Sequence, residues 1–183
     1  DIYDVMNSTF RKVLAGIGMA TVGANAVFAA ITGSSIASAS VFTKISVPEM
    51  LRYNYNKRFA VGVVAGSSVL GMIIPPSAML IIYSFISEQS VGDMFLAGIV
   101  PGLLLTGAYI FAIFAMARIW PSYIGQDIKA DEMPALDTSE TIHKAWPVIA
   151  LIFLVLGGIY TGWLTPVEAG AAGASLALVI AAL

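Results

Sequence analysis

The chain has 183 residues, of which 58 % are hydrophobic and 11 % charged, with a formal net charge of −2. So few charges cannot coat a soluble domain of this size, so the composition is that of an integral membrane protein. With no cysteine, a disulfide framework, thiol chemistry and a Cys-ligated metal are excluded. The charge-free runs are helix length, unlike the roughly ten-residue alternating segments of an outer-membrane barrel. The expected fold is therefore an all-α polytopic membrane protein. The chain opens at Asp1 without a signal-peptide pattern and stops within the apolar Ala181-Ala182-Leu183, which reads as a fragment cut from a longer protein.

In chain order, Ile2–Phe10 places Ile2, Val5, Met6 and Phe10 on one face of a short interfacial helix. Val13–Thr43 then runs from Lys12 to Lys44 without a charge, and its centre carries Thr32-Gly33-Ser34-Ser35 and Ser38. Ser46-Val47-Pro48-Glu49 has the pattern of a capping box and predicts a second interfacial helix over about 47–55. Phe59–Ser87 is the next charge-free run, interrupted by Ile73-Ile74-Pro75-Pro76-Ser77 and preceded there by Gly66-Ser67-Ser68. Two prolines remove two backbone donors, and the first disfavours a helical Ile74, so this run predicts a broken helix. Ser90 begins a third helix, over about 94–118. A polar connector over 121–144 follows, and His143 in it reads as a plain surface residue. Ala145–Leu164 is the fourth run, with Trp146 and Trp163 at its ends as interface anchors. Thr165-Pro166-Val167-Glu168 predicts a capping box that opens a last, Gly/Ala-rich helix, which makes Glu168 a cap rather than a functional carboxylate.

Val13–Thr43 is either one overlong span or a re-entrant hairpin. Arg11 and Lys12 precede it, while Lys44, Arg52, Lys57 and Arg58 follow it. A hairpin puts all six on the cytoplasmic side, and every later basic residue then also falls inside, as the positive-inside rule requires. Each arm, of about fifteen residues, would reach roughly 22 Å into the bilayer, past its midplane. The turn at Gly33 and the break at Pro75-Pro76 then lie at similar depth. Paired discontinuities near the midplane are the sequence sign of a secondary-transporter binding site.

Neither discontinuity contains a carboxylate, histidine or cysteine. They offer the hydroxyls of Thr32, Ser34, Ser35, Ser38, Ser67, Ser68 and Ser77, the amide of Asn25, and the carbonyls over 71–74, which Pro75 and Pro76 leave without their helical donors and free to turn to an ion; Gly33, Gly66, Ile74, Pro75 and Pro76 complete the candidate binding residues. Oxygens of this kind suit a hard cation such as Na⁺, for which Ser34, Ser35, Ile74 and Ser77 are the candidate donors, and half-helix N-termini suit an anionic substrate. Runs of Gly, Ser and Ala also serve simply as packing surfaces, which suffices for Ala37–Ser40 and leaves Asn25 open. Tyr83 and Tyr109 read as packing or interface residues. The sequence has no phosphate-binding loop, no G-x-S-x-G elbow, no potassium-filter motif and no basic arm for nucleic acid.

Five motifs in this order carry a resemblance: Ala29-Ala30-Ile31-Thr32-Gly33-Ser34-Ser35-Ile36-Ala37-Ser38-Ala39; Val47-Pro48-Glu49-Met50; Ile73-Ile74-Pro75-Pro76-Ser77; Leu96-Ala97-Gly98-Ile99-Val100-Pro101-Gly102; and Gly157-Gly158-Ile159-Tyr160 with Thr165-Pro166-Val167-Glu168-Ala169. Over essentially its whole length the chain resembles the large membrane subunit of TRAP transporters, the tripartite ATP-independent periplasmic transporters. The resemblance implies two inverted repeats, each with a re-entrant hairpin and a broken helix, working by an elevator movement. It implies that 1–120 is most of the first repeat (hairpin about 13–43, broken helix about 59–87), 121–144 the connector, and 145–183 the start of the second. It also implies Na⁺-coupled symport of an organic anion, a C4-dicarboxylate or sugar acid, across the bacterial inner membrane, with no other cofactor and no enzymatic reaction. The implied partners are a small membrane subunit and a periplasmic binding protein. Gly33–Ser35 would be the hairpin tip and Pro75–Ser77 the break facing it, so this stretch would hold half of the site and be inactive alone. The competing expectations are a stand-alone ion-coupled anion transporter of the same superfamily and a non-transporting membrane scaffold or enzyme.

Overall fold

A computed structural model of the chain describes residues 15–124 and 138–182. Among the described residues there is no strand, and the elements in order are α1 (Gly16–Thr32), α2 (Ser35–Arg52), α3 (Lys57–Ser68), α4 (Leu70–Ile73), α5 (Ala78–Ile86), α6 (Val91–Ile119), α7 (Pro121–Ile124), α8 (Thr138–Tyr160) and α9 (Pro166–Ala182). The helix expected at Ile2–Phe10, the pair Arg11 and Lys12, and most of the connector lie outside the described residues.

The bundle is built around α1. Its first ten residues, Gly16–Asn25, are all buried, and the helix touches α2, α3, α4 and α6. Small residues allow that approach. At Gly18, a Cβ would already stand 3.4 Å from Ile113 of α6 and 3.5 Å from Phe59 of α3. Ile17, Met19, Val22, Met50, Val64 and Leu70 fill the core between these helices. Between lipid-bathed helices the hydrophobic drive is weak, so close packing over small residues is what holds them.

The outer surface is apolar as well. Leu103, Leu104 and Phe111 of α6 and Phe85 and Ile86 of α5 are exposed. Among the described residues, α6 is the one helix long and apolar enough to cross a membrane by itself, and α3–α4 with α5 qualifies as a pair bent by 44°.

From Ala15 on, where the described residues begin, the stretch Val13–Thr43 folds as two helices, α1 and the start of α2, joined at Gly33-Ser34 and folded back on each other. Phe28 and Phe42 meet edge-on across the two arms, with ring centroids 5.6 Å apart.

The structure departs from the sequence reading at Ser46. No new helix begins there; α2 runs on through Pro48 to Arg52. Pro48 and Lys44 both lie on the exposed side, so the Lys44 carbonyl that the proline leaves without its donor can be satisfied from outside the helix. Ser46 is buried inside the helix and caps nothing, while Glu49 pairs with Arg52 at 3.3 Å. The helix stops before Tyr55 because Asn54 takes a left-handed conformation (φ 58) and Tyr55 N–H returns to the Met50 carbonyl at 3.0 Å. Two further ends differ. The α8 helix starts at Thr138, so His143 lies on it, and ends at Tyr160 rather than Leu164, where Gly162 turns the chain at φ 73. Ser90 does precede α6, but its side chain makes no capping bond.

The capping box at α9 forms as its sequence predicts. Glu168 accepts from the Thr165 N–H at 2.8 Å and donates its own N–H to Thr165 Oγ1 at 3.3 Å.

Candidate functional site

The turn between α1 and α2 takes only two residues. Gly33 has φ 58 and closes α1 with its N–H on the Ala29 carbonyl at 2.9 Å. A left-handed residue is the usual stop for a helix, and glycine adopts it without strain. Ser34 is extended and opens α2, its Oγ accepting from Ala37 N–H at 3.3 Å. The negative end of one half-helix thus adjoins the positive end of the next.

The second discontinuity is built from the prolines. The α4 helix ends at Ile73, and Ile74 is extended (ψ 124), as a residue before proline should be. The Pro75–Pro76 peptide is cis. Ser77 is extended and precedes α5, but its hydroxyl does not cap that helix; it turns back and donates to the Met72 carbonyl at 2.8 Å. That carbonyl is the one whose helical donor Pro76 removes, so the side chain replaces the lost N–H. The expectation that all of the carbonyls over 71–74 would be left free therefore fails at Met72.

The two discontinuities meet. The Gly33 carbonyl accepts from the Ala78 N–H, the first amide of α5, at 3.3 Å. A Cβ on Gly33 would overlap the Pro76 carbonyl oxygen, and one on Gly71 would lie 2.8 Å from the Ser34 carbonyl carbon and 2.9 Å from Ser35 N. Backbone thus packs on backbone in both directions, and the N-terminal ends of α2 and α5 come together. Two glycines of α6 hold the break from behind: a Cβ on Gly98 would lie 2.7 Å from the Ile73 carbonyl oxygen, and one on Gly102 2.8 Å from the Ile74 side chain. A cavity of about 400 Å³ opens beside this junction, lined there by Thr32, Gly33, Pro76, Ser77 and Phe95, with α8 and α9 across from them.

The sequence profile of one family, described as the DctM component of the tripartite ATP-independent periplasmic transporters, matches residues 1–183. The chain belongs to that family. It is 34 % identical over 177 residues to the C4-dicarboxylate TRAP transporter large permease protein DctM of Pseudomonas aeruginosa, covering 94 % of this chain and 39 % of that protein. It is 38 % identical over 170 residues to the protein of the same name from Vibrio cholerae, covering 91 % and 36 %. With the isethionate TRAP transporter permease protein DctMQ of Oleidesulfovibrio alaskensis it shares 33 % over 171 residues, covering 90 % and 25 %. The chain therefore spans well under half the length of the curated relatives it matches. Those relatives are transporter permease components, not enzymes.

Within this member of the DctM family, the sequence-derived candidates divide into two groups. The structure brings Gly33, Ser34, Ser35, Pro75, Pro76 and Ser77 to the junction. Ile74 packs there against Gly102, and Thr32, beside Gly33, bonds back to the Phe28 carbonyl at 3.0 Å. The rest lie elsewhere. Asn25 is eight residues before Gly33, about 12 Å down α1, and its Nδ2 donates to Ser67 Oγ of α3 at 2.7 Å. Ser68 bonds to the Ala65 carbonyl at 2.8 Å, and Gly66 packs against the ring of Tyr109. Ser38 is buried one turn into α2, and its hydroxyl has no partner among the described residues. Among the described residues no cluster of His, Asp or Glu could ligate a metal. Residue-type reasoning missed Gly71, Gly98 and Gly102 as parts of the site. Their only sequence signal is glycine spaced within apolar helices on either side of the Pro-Pro pair.

Proposed function

We propose that the junction is one half of the substrate and ion site of a TRAP transporter large permease, which takes up a small organic anion across the bacterial inner membrane in symport with Na⁺. One observation carries the reading: the Gly33 carbonyl sits on the first amide of α5 while Ser34 and Ser35 pack on Gly71, so the ends of two broken helices face each other. Helix N-termini at such a point favour an anion, and freed carbonyls with Ser34, Ser35 and Ser77 hydroxyls favour a hard cation. Ser77 Oγ donates to Met72 and keeps its lone pairs for an ion.

The substrates named for the relatives, C4-dicarboxylates and isethionate, support a small organic anion without choosing among carboxylates and sulfonates. That the family is tripartite and periplasmic, and that its relatives are named large permease proteins, supports a small membrane subunit and a periplasmic binding protein as partners. An inverted second repeat beginning near residue 145, and an elevator movement of hairpin and break together, complete the proposal. The test is uptake by the intact permease with its partners in proteoliposomes. Ser34→Ala and Ser77→Ala should each raise the Na⁺ concentration for half-maximal uptake, by about tenfold. Unchanged Na⁺ activation in both variants overturns the ligand assignment.

A further inference from the structure

A second cavity, of about 220 Å³, lies away from the junction, between α1, α3, α6 and α7. Its walls are Val22, Phe59, Val63, Ile113 and Met116, and its rim carries Arg58 and Tyr123. It follows α3 from Arg58 to Gly66, about 12 Å at 1.5 Å per residue. Arg58 is exposed and, among the described residues, has no acidic partner; Lys57 beside it is exposed too. This is the end of the bundle where α2 finishes in Arg52 and the last turn of α6 carries Arg118, the end assigned to the cytoplasm by the distribution of basic residues.

We propose that this groove is a binding site for one anionic phospholipid, an acyl chain lying between α1, α3 and α6 and the phosphate resting on Arg58. The shape and the charge select this occupant together. A helix is about 10–12 Å across with its side chains, too wide for a groove of this volume. A free inorganic anion would leave the apolar walls unused. A zwitterionic lipid would leave the cation at the rim without a net opposite charge, whereas basic pockets between helices on the cytoplasmic side suit anionic headgroups. Gly62 lines the groove, and a Cβ there would meet nothing within 4 Å, so the space beside α3 is open for a chain to occupy.

The test is native mass spectrometry of the intact permease, titrated in detergent with phosphatidylglycerol or with phosphatidylcholine. The wild type should retain phosphatidylglycerol in preference to phosphatidylcholine. Arg58→Gln should weaken that retention about fivefold, and Arg58→Lys should keep it. Gly62→Leu, whose Cβ would meet nothing within 4 Å and whose longer side chain would occupy the groove, should remove one bound lipid while leaving the protein folded. Equal retention by the wild type, Arg58→Gln and Gly62→Leu overturns the proposal. So does indifference between the two lipids, or a wild type that holds neither because another part of the permease covers the groove.

Discussion

Two of the polar contacts between helices of this apolar bundle are held in different ways. At the Asn25–Ser67 pair, side chain meets side chain across two intact helices at 2.7 Å. At the junction of Gly33 with Pro76 and Ala78, main chain meets main chain, and the side chains contribute mainly by being absent. The first arrangement needs only two polar residues at facing positions. The second needs a left-handed turn at Gly33, two prolines and three glycines on two helices, because a Cβ at any of them would press on the facing backbone or, at Gly102, on the Ile74 side chain. Only the second leaves helix ends pointing at one another, which is the property that a site for ions and anions requires.

Substitutions at the junction should therefore cost far more than substitutions at the pair. The largest loss is expected for Gly33→Ala, which combines a positive φ with overlap on the Pro76 carbonyl oxygen. It should lower the stability of the intact permease by about 2–4 kcal/mol and abolish uptake, as read from thermal melting in detergent and from proteoliposome transport. Gly71→Ala should cost about 1–3 kcal/mol, since the atoms in its way are backbone. Its control is Gly62→Ala in the same bent segment, where nothing lies within 4 Å; that change should be neutral or stabilising by up to about 1 kcal/mol. A melting temperature equally depressed by both alanines would mean that the junction is not close-packed.

At the side-chain pair, Ser67→Ala should cost about 1 kcal/mol, and the double variant Asn25→Ala/Ser67→Ala less than the sum of the singles. Strict additivity would show that the bond contributes nothing. The smallest effect is expected at the exposed capping box, where Thr165→Ala should cost about 0.5–1 kcal/mol without altering transport. A change in substrate affinity there would reopen Glu168 as a functional group.

Much of the first half of the fold is legible in the residues. The charge-free runs and their basic flanks point to α1, α2 and α6, Gly33 to the turn, and Pro75-Pro76 to the break. The Thr165-Pro166-Val167-Glu168 pattern places the start of α9. The same kind of pattern misleads at Ser46-Val47-Pro48-Glu49, because a capping box competes with continuation of a helix already under way. With Pro48 on an exposed face, continuation prevails. Glycine-and-serine patches are harder to sort: Gly66 packs beside Tyr109 and Ser68 bonds to the Ala65 carbonyl, away from the junction, and residue type alone does not separate them from Ser34 and Ser77.

By itself, the sequence determined the helical class, the charge asymmetry and the two positions where a helix must stop, since those follow from local chemistry: apolar run length, left-handed glycine, and proline without an N–H. Only the tertiary structure decided that the two stops touch, that Ser77 replaces the donor lost at Met72, and that Gly71, Gly98 and Gly102 make the contact possible. Those facts depend on which backbone faces which across helices far apart in the chain, and no local residue pattern specifies the distance between them.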